Sequence, residues 1–206
     1  MVQSQLRDRG IRDERVLAAM ERVPRHAFVA PEFQPQAYDD TPLPLPERQT
    51  ISQPYIVALM LEALRIEPHY NVLEVGTGSG YQTALLAELA AQVISIERHS
   101  ILAHDAKESL TRLGYRNVTL LLGDGSQGAP ATAPYDAIVV AAAAPEIPRA
   151  LFEQLREGGG MVLPIGPRGE QELQLVEKRS GAPVVSTLVG CRFVPLIGEQ
   201  GYTPED

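Results

Sequence analysis

The stretch Asn71-Val-Leu-Glu-Val-Gly-Thr-Gly-Ser-Gly-Tyr81 decides the fold. Asn71 to Val75 is a short apolar run of strand length that breaks off at glycines 76, 78 and 80. Gln82 to Ala90 then has the composition of a helix. Glycine permits positive φ and lets backbone approach a ligand closely. The helix start beyond the turn offers free N–H groups. Taken alone, such a turn is weak evidence for a ligand site, because a plain tight turn is the competing reading, so its neighbours must decide.

Outward from this turn, strand-like and helix-like segments alternate. Gln92 to Ile96 reads as the next strand. His99 to Leu113 suits a helix closed by Gly114, and Val118 to Leu122 a third strand. Tyr135 to Val140 is a fourth, Ile147 to Leu155 a short helix with Pro148 in its first turn, and Met161 to Ile165 a fifth strand after a Gly158-Gly-Gly160 turn. This alternation predicts βαβ units: an α/β fold with a mostly parallel twisted sheet and helices on both faces. The rhythm then changes. Glu172 to Lys178, a turn at Ser180 to Pro183, and Val184 to Val189 read as an antiparallel hairpin on the edge of the same sheet.

Upstream, Ile11 to Met20 reads as a short amphipathic helix stopped by Pro24. Residues 30–54 carry Pro31, Pro35, Pro42, Pro44, Pro46 and Pro54, which predicts an extended, stiff segment. No linker or repeat divides the chain. One domain is expected over 1–206: an N-terminal cap (1–50), a ligand-binding core (51–165), and a C-terminal hairpin and tail (166–206).

Composition sets outer bounds. The 206 residues are 44% hydrophobic and 21% charged, as in an ordinary globular protein. The net charge of −8 disfavours general nucleic-acid binding. Residues 1–26 are locally basic, with 6 Arg against 4 acids, and the mixed signs predict a solvated face. No apolar run reaches the ~18–20 residues of a membrane span, and the charged start has no apolar signal segment. With Cys191 as the single cysteine, no intrachain disulfide can form and a reducing cytoplasmic location is expected; a monomer is the separate expectation for its assembly. One Cys and four scattered His (His26, His69, His99, His104) give no metal-ligand spacing, so no metal is expected.

The chemistry gathers at strand ends. Glu97 stands 21 residues after Gly76, at the end of the second strand, where an acid can accept hydrogen bonds from ribose hydroxyls. Asp124 and Gly125 end the third strand on the same rim. Each acid alone reads best as a solvated loop residue. Three features at successive strand ends describe a pocket for an adenosine-containing ligand. The spacing is G-x-G-x-G rather than the dinucleotide G-x-G-x-x-G, and Glu74 lies two residues earlier. A carboxylate there suits a ligand with a cationic part better than a pyrophosphate. That favours S-adenosylmethionine, with its ammonium and sulfonium, over a nicotinamide dinucleotide.

Particular segments then carry a resemblance. Gln49-Thr-Ile-Ser-Gln-Pro-Tyr55, Leu73 to Tyr81, Gly123-Asp-Gly125, Ala142-Ala-Ala-Pro-Glu-Ile-Pro148 and Arg192-Phe-Val-Pro-Leu196 appear in the order found in the protein-L-isoaspartate O-methyltransferase family, across nearly the whole chain. The chain resembles that family, whose fold is the Rossmann-like S-adenosylmethionine-dependent methyltransferase fold. The resemblance implies esterification of the α-carboxylate of isoaspartyl residues in damaged proteins and peptides. The ester closes to a succinimide that hydrolyses partly to normal aspartate, and S-adenosylhomocysteine is the other product.

Carried onto this chain, the resemblance assigns the cofactor to Gly76, Thr77, Gly78, Gly80, Glu97, Asp124 and Gly125, and the charge argument above adds Glu74. It assigns the substrate to Thr50, Ile51, Ser52, Val194, Pro195 and Leu196, with Ser52 between cofactor and substrate. Ser52 also reads as an N-cap for a helix starting near Pro54. The chain departs from the family where glycines often precede Gln49: here the run is Pro46-Glu47-Arg48, and Arg48 is a candidate to attract the substrate carboxylate. The chain has no Trp, and the tail after Leu196 matches poorly, so the resemblance carries no cofactor contact there. Two alternatives stay open: a methyltransferase for another carboxylate or small acceptor, and a non-catalytic module that binds S-adenosylmethionine.

Overall fold

Successive side chains of a strand point to opposite faces, so a sheet covered on both sides needs apolar residues at nearly every position. The central strands meet this demand. The computed structural model of the chain describes residues 1–204; the last two residues of the expected tail lie outside the described residues. Val72, Val93, Val139 and Val162 point into one core, and Leu73, Ile94, Ile138 and Met161 into another.

The chain begins with a short helical turn (Val2–Leu6) and helix α1 (Glu14–Arg22). Asp13 caps α1 by accepting from the Arg15 and Val16 N–H groups, so the helix starts later than the apolar pattern suggests. The proline-rich segment is not uniformly extended. It folds into 3₁₀ turns at Pro31–Gln36 and Pro46–Arg48, where proline's fixed φ favours the first position. It also holds a two-stranded antiparallel hairpin, β1 (Leu43–Pro44) with β2 (Thr50–Ile51). Helix α2 (Pro54–Leu64) follows.

The main sheet contains β3 (Asn71–Val75), β4 (Gln92–Glu97), β5 (Val118–Leu122), β6 (Tyr135–Val140), β7 (Leu155–Ile165), β8 (Gln171–Arg179) and β9 (Ala182–Cys191). Its order is β5-β4-β3-β6-β7-β8-β9. The pairs from β5 to β7 are parallel, and β8 and β9 add an antiparallel hairpin at the edge, as expected. Helix α3 (Tyr81–Leu89) packs with α1 and α2 on the first face. Helix α4 (Ser100–Arg112) joins β4 to β5, and α5 (Arg149–Gln154) contributes Leu151 to the second core. Pro148 precedes α5 as its cap residue instead of lying in the first turn.

Two further expectations change. Gly158 to Gly160 are not a turn before a strand; they belong to β7. Tyr135 pairs with Leu155 and Ala137 with Gly160, so the intervening residues of β7 bulge out. A Cβ on Gly159 would sit 2.9 Å from the Asp136 carbonyl oxygen, which explains a glycine inside a strand. The basic N-terminus is also more than a solvated face. Arg15 donates to the carbonyls of Ile66 and Leu89, and Arg25 is fully buried, donating to Ala37 O at 2.7 Å.

This topology fixes where a ligand can sit. From β3 the chain proceeds outward through β4 to β5, then returns to lay β6 on the other side of β3. The carboxyl ends of β3 and β6 flank the point where the strand order reverses, which is where open α/β sheets bind ligands.

Candidate active site

The glycine turn after β3 has the predicted shape. Gly76, Gly78 and Gly80 all adopt positive φ, and Gly80 leads directly into α3. Gly76 closes against β4 and β6: its N–H donates to Ile96 O at 2.8 Å, and a Cβ on it would meet Ala141. At the end of β4, Glu97 accepts from Gly78 N–H at 2.9 Å, Arg98 N–H at 2.8 Å and His99 N–H at 2.9 Å. A carboxylate offers about four acceptor positions, so Glu97 keeps capacity for a ligand hydroxyl.

These elements line one cavity. Its walls include Gly76, Thr77, Gly78 and Glu97 from the expected cofactor set, and Gly125 beyond β5. Thr50, Ile51 and Ser52 enter from the hairpin side, and Val194, Pro195 and Leu196 from the C-terminal side. The last three are held beside the end of β6: Ala143 N–H donates to Val194 O at 2.8 Å, and Leu196 N–H to Ala143 O at 2.7 Å. Gly125 must stay a glycine, because a Cβ there would fall 2.4 Å from Val75 Cγ1. A second groove adjoins the cavity, bounded by Thr50, Ser52, Ala141, Arg192 and Val194. Ser52 borders both spaces.

Ser52 is not the helix cap. The N–H of Tyr55 at the start of α2 donates to Asp40 Oδ1 at 2.9 Å, and Gln53 Nε2 donates to Asp40 Oδ2 at 2.7 Å. Among the described residues the Ser52 hydroxyl has no hydrogen-bond partner, so it can donate into either space. Arg48 is exposed and borders neither.

Two acids lie elsewhere than expected. Glu74 is fully buried behind the glycine turn and does not line the cavity. It faces the first core, where Thr83 Oγ1 (2.5 Å), Ser95 Oγ (2.6 Å) and Gln82 Nε2 (3.2 Å) donate to it. Burial pushes its carboxyl up to about 7, the three donors pull it back, and nearby Glu97 pushes it further up. It therefore acts on the cavity through its partners: Gln82 lines the wall, and Ser95 is 2.6 Å from the hydroxyl of Thr77, which also does. Asp124 is turned to the tail. It accepts from Glu199 N–H at 2.8 Å, Ser126 N–H at 2.9 Å and Ser126 Oγ at 2.7 Å. Partial burial raises the Asp124 carboxyl, but these donors and the Arg98 charge outweigh it and hold the group below its ordinary value.

The sequence reading missed several wall residues. Arg98 and His99 follow Glu97 directly, and Ala141 and Ala142 follow β6, so the rim position of both strand ends was a usable signal. Tyr81, the first residue of α3, also lines the cavity, with its ring buried against Phe28 and Arg25. Ile197 also lines it, although the resemblance carried no contact beyond Leu196. Cys191 borders the groove, but burial, and then Glu172, raise its thiol to about 11, so it stays protonated. Among the described residues no group of three His, Cys, Asp or Glu side chains could share a metal ion, and no helix is long and apolar enough to cross a membrane.

The chain is similar to known proteins over its whole length. A family model described as protein-L-isoaspartate(D-aspartate) O-methyltransferase matches residues 1–201. A protein-L-isoaspartate O-methyltransferase of Koribacter versatilis is 58% identical over 204 residues, covering 99% of this chain and 92% of the relative. One from Methanoculleus marisnigri is 56% identical, covering 100% and 93%. Among solved structures, a protein-L-isoaspartate O-methyltransferase superposes with a TM-score of 0.87 at 30% identity, over 98% of this chain and 67% of that one. A Plasmodium falciparum structure assigned as a beta-aspartate methyltransferase, in complex with S-adenosyl-L-homocysteine, gives 0.83 at 28% identity, over 95% and 96%.

Proposed function

Because the chain belongs to the protein-L-isoaspartate(D-aspartate) O-methyltransferase family, we propose that its cavity holds S-adenosylmethionine and that the adjoining groove receives the isoaspartyl residue. The activity is S-adenosylmethionine-dependent methylation of isoaspartyl residues in protein repair. The observation that carries the site reading is the place of Ser52, a free hydroxyl shared by cavity and groove.

The residues present fit this cofactor. Glu97 keeps acceptor capacity for a ribose hydroxyl, and the glycine turn is shaped for close approach of a ligand. Gly125 packs directly on Val75 and brings its backbone to the cavity wall without a side chain. When bound, S-adenosylmethionine supplies a methyl group activated by the sulfonium.

The rest is positioning. An α-carboxylate has an unperturbed pKa of roughly 3.3–3.7, so at neutral pH it is ionised and needs no general base. Ser52 donates a hydrogen bond that holds one carboxylate oxygen towards the cofactor, and it is no nucleophile. Val194 borders both groove and cavity, Pro195 and Leu196 line the cavity beside it, and together they exclude water, a competing nucleophile.

The test is methyl transfer from labelled S-adenosylmethionine to a synthetic isoaspartyl peptide, with the aspartyl peptide as control. Base-labile label on the isoaspartyl peptide alone is expected. Ser52→Ala should lower kcat roughly tenfold, the loss of one hydrogen bond to a charged group. Its affinity for S-adenosylhomocysteine should change much less. Label on neither peptide, or transfer to free carboxylic acids alone, would return the reading to another acceptor or to a binding module. We further propose a monomer working in the cytoplasm without nucleic-acid or membrane partners, a reading supported by the net charge of −8 for nucleic acid. Sedimentation and cell fractionation test the remaining parts.

A further inference from the structure

The hairpin β1–β2 stands over the cavity as a flap. Leu43 pairs with Ile51 and Pro44 with Thr50, and Leu45 N–H donates to Gln49 O at 2.8 Å, so Pro46-Glu47-Arg48 forms the tip. Glu47 (φ 58°) and Arg48 (φ 56°) are both left-handed, a conformation that residues with side chains seldom adopt twice in succession. The tip reaches the cofactor wall at two points. Leu45 Cδ1 would lie 3.7 Å from a Cβ placed on Gly78. Glu47 Oε2 lies 3.6 Å from His99 Nδ1. His99 lines the cavity two residues after Glu97, and the flap's outgoing strand leads through Thr50 and Ile51 to Ser52, which line the same cavity. One side-chain pair therefore joins two walls of the cavity.

We infer that Glu47 is a positioning residue which, paired with protonated His99, latches the flap across the cofactor cavity and slows release of the spent cofactor. The inference rests on reading the cavity as the S-adenosylmethionine site. Backbone strain retained at such a contact marks a segment whose shape the surroundings over-determine. The separation is that of an ion pair and too long for a hydrogen bond. The Glu47 side chain is 50% exposed and His99 21%, so the contact is partly screened and its effect is a matter of a few-fold.

The pair carries opposite charges only while His99 is protonated, and histidines commonly titrate between about pH 5 and 8. The other charged groups at that wall are Glu97 and Arg98 from the same turn. Glu74, behind the glycine turn, is raised by burial to about 7. It is common to wild type and any Glu47 variant, so a ratio of rates removes it.

The experiment measures how fast labelled S-adenosylhomocysteine leaves the full chain after excess unlabelled compound is added, at pH 6 and pH 8. Glu47→Gln should release it about two- to fivefold faster than wild type at pH 6, and the ratio should fall towards one at pH 8. Salt at ~0.5 M should speed release from wild type at pH 6, a readout that needs no variant, and should leave release from the variant unchanged. A ratio of one at both pH values, or the same excess at both, overturns the latch. Failure of wild type to bind S-adenosylhomocysteine at all overturns the site reading, and the latch with it.

Discussion

The glycine turn after β3 and the flap tip face each other across one cavity, and both use left-handed backbone. The first reaches it with glycines at 76, 78 and 80; the second with Glu47 and Arg48. The difference follows from what each must touch. The glycine turn is packed from several sides: a Cβ on Gly80 would lie 3.2 Å from the Ala106 Cβ, and one on Gly76 3.5 Å from that of Ala141. Positive φ disfavours a side chain at all three glycines, and at Gly80 the approach to Ala106 is also tighter than a Cβ ordinarily makes, whereas at Gly76 it is ordinary van der Waals contact. The flap tip is exposed, so side chains fit and only the backbone is strained. Glycine is hardest to replace at Gly80, where close packing and φ agree, and easiest to replace at the exposed tip, where φ acts alone.

The largest effect should come from breaking the first half of that contrast. Gly80→Ala forces a positive φ of 87° on alanine and drives its Cβ against α4. A loss of about 2–4 kcal/mol is expected, read as a lower denaturation midpoint together with weakened S-adenosylhomocysteine binding. Loss of binding at unchanged stability would show that the turn tolerates alanine and that the contrast is chemical, not steric.

The next effect concerns what lies behind the turn. The Glu74 carboxyl is raised by burial from 4.5 to about 7 in the folded chain. Between those values the folded state holds a proton that the unfolded state has released. Stability therefore falls as pH rises from about 4.5 to about 7 and is flat, for this group, above that. The change is on the order of 3 kcal/mol. Denaturant titrations from pH 4 to pH 8 should show it, and Glu74→Gln should flatten that part of the profile even if the variant is less stable throughout. An unchanged profile in the variant would assign the slope to another group.

Glu74 also shows how much of the site the sequence exposes. The sheet was legible because its apolar runs are bounded by glycines, and Glu97 because it follows the turn at ribose-binding distance in sequence. Glu74 was read as a cofactor ligand from its charge and its nearness to the glycines. The period of the strand argues otherwise: Leu73 and Val75 face the second core, so residue 74 must face the first, beside its register partner Ser95. That signal was present and outweighed by the chemistry of the ligand. Asp124 could not be read correctly, because its partners, Glu199 and Ser126, include a tail residue 75 positions away. The flap was hidden for a different reason. Prolines argue against regular structure, and a hairpin with two residues per strand leaves no periodicity to detect.

The smallest effect isolates the flap backbone. The Arg48 side chain is exposed, makes no hydrogen bond or ion pair among the described residues, and borders neither cavity nor groove. Arg48→Gly therefore changes little except conformational preference. Glycine relieves the left-handed strain, worth about 1–2 kcal/mol, but it adds unfolded-state freedom that costs about 0.5–1 kcal/mol. The net expectation is a gain of up to about 1 kcal/mol, measured as a shift in denaturation midpoint, with no change in S-adenosylhomocysteine release because Glu47 still meets His99. A loss of stability would mean that arginine fits the tip as well as glycine does, and the division between the two left-handed segments would not hold. Faster release at unchanged or higher stability would mean that stiffness at residue 48, as well as the charge at 47, keeps the flap in place.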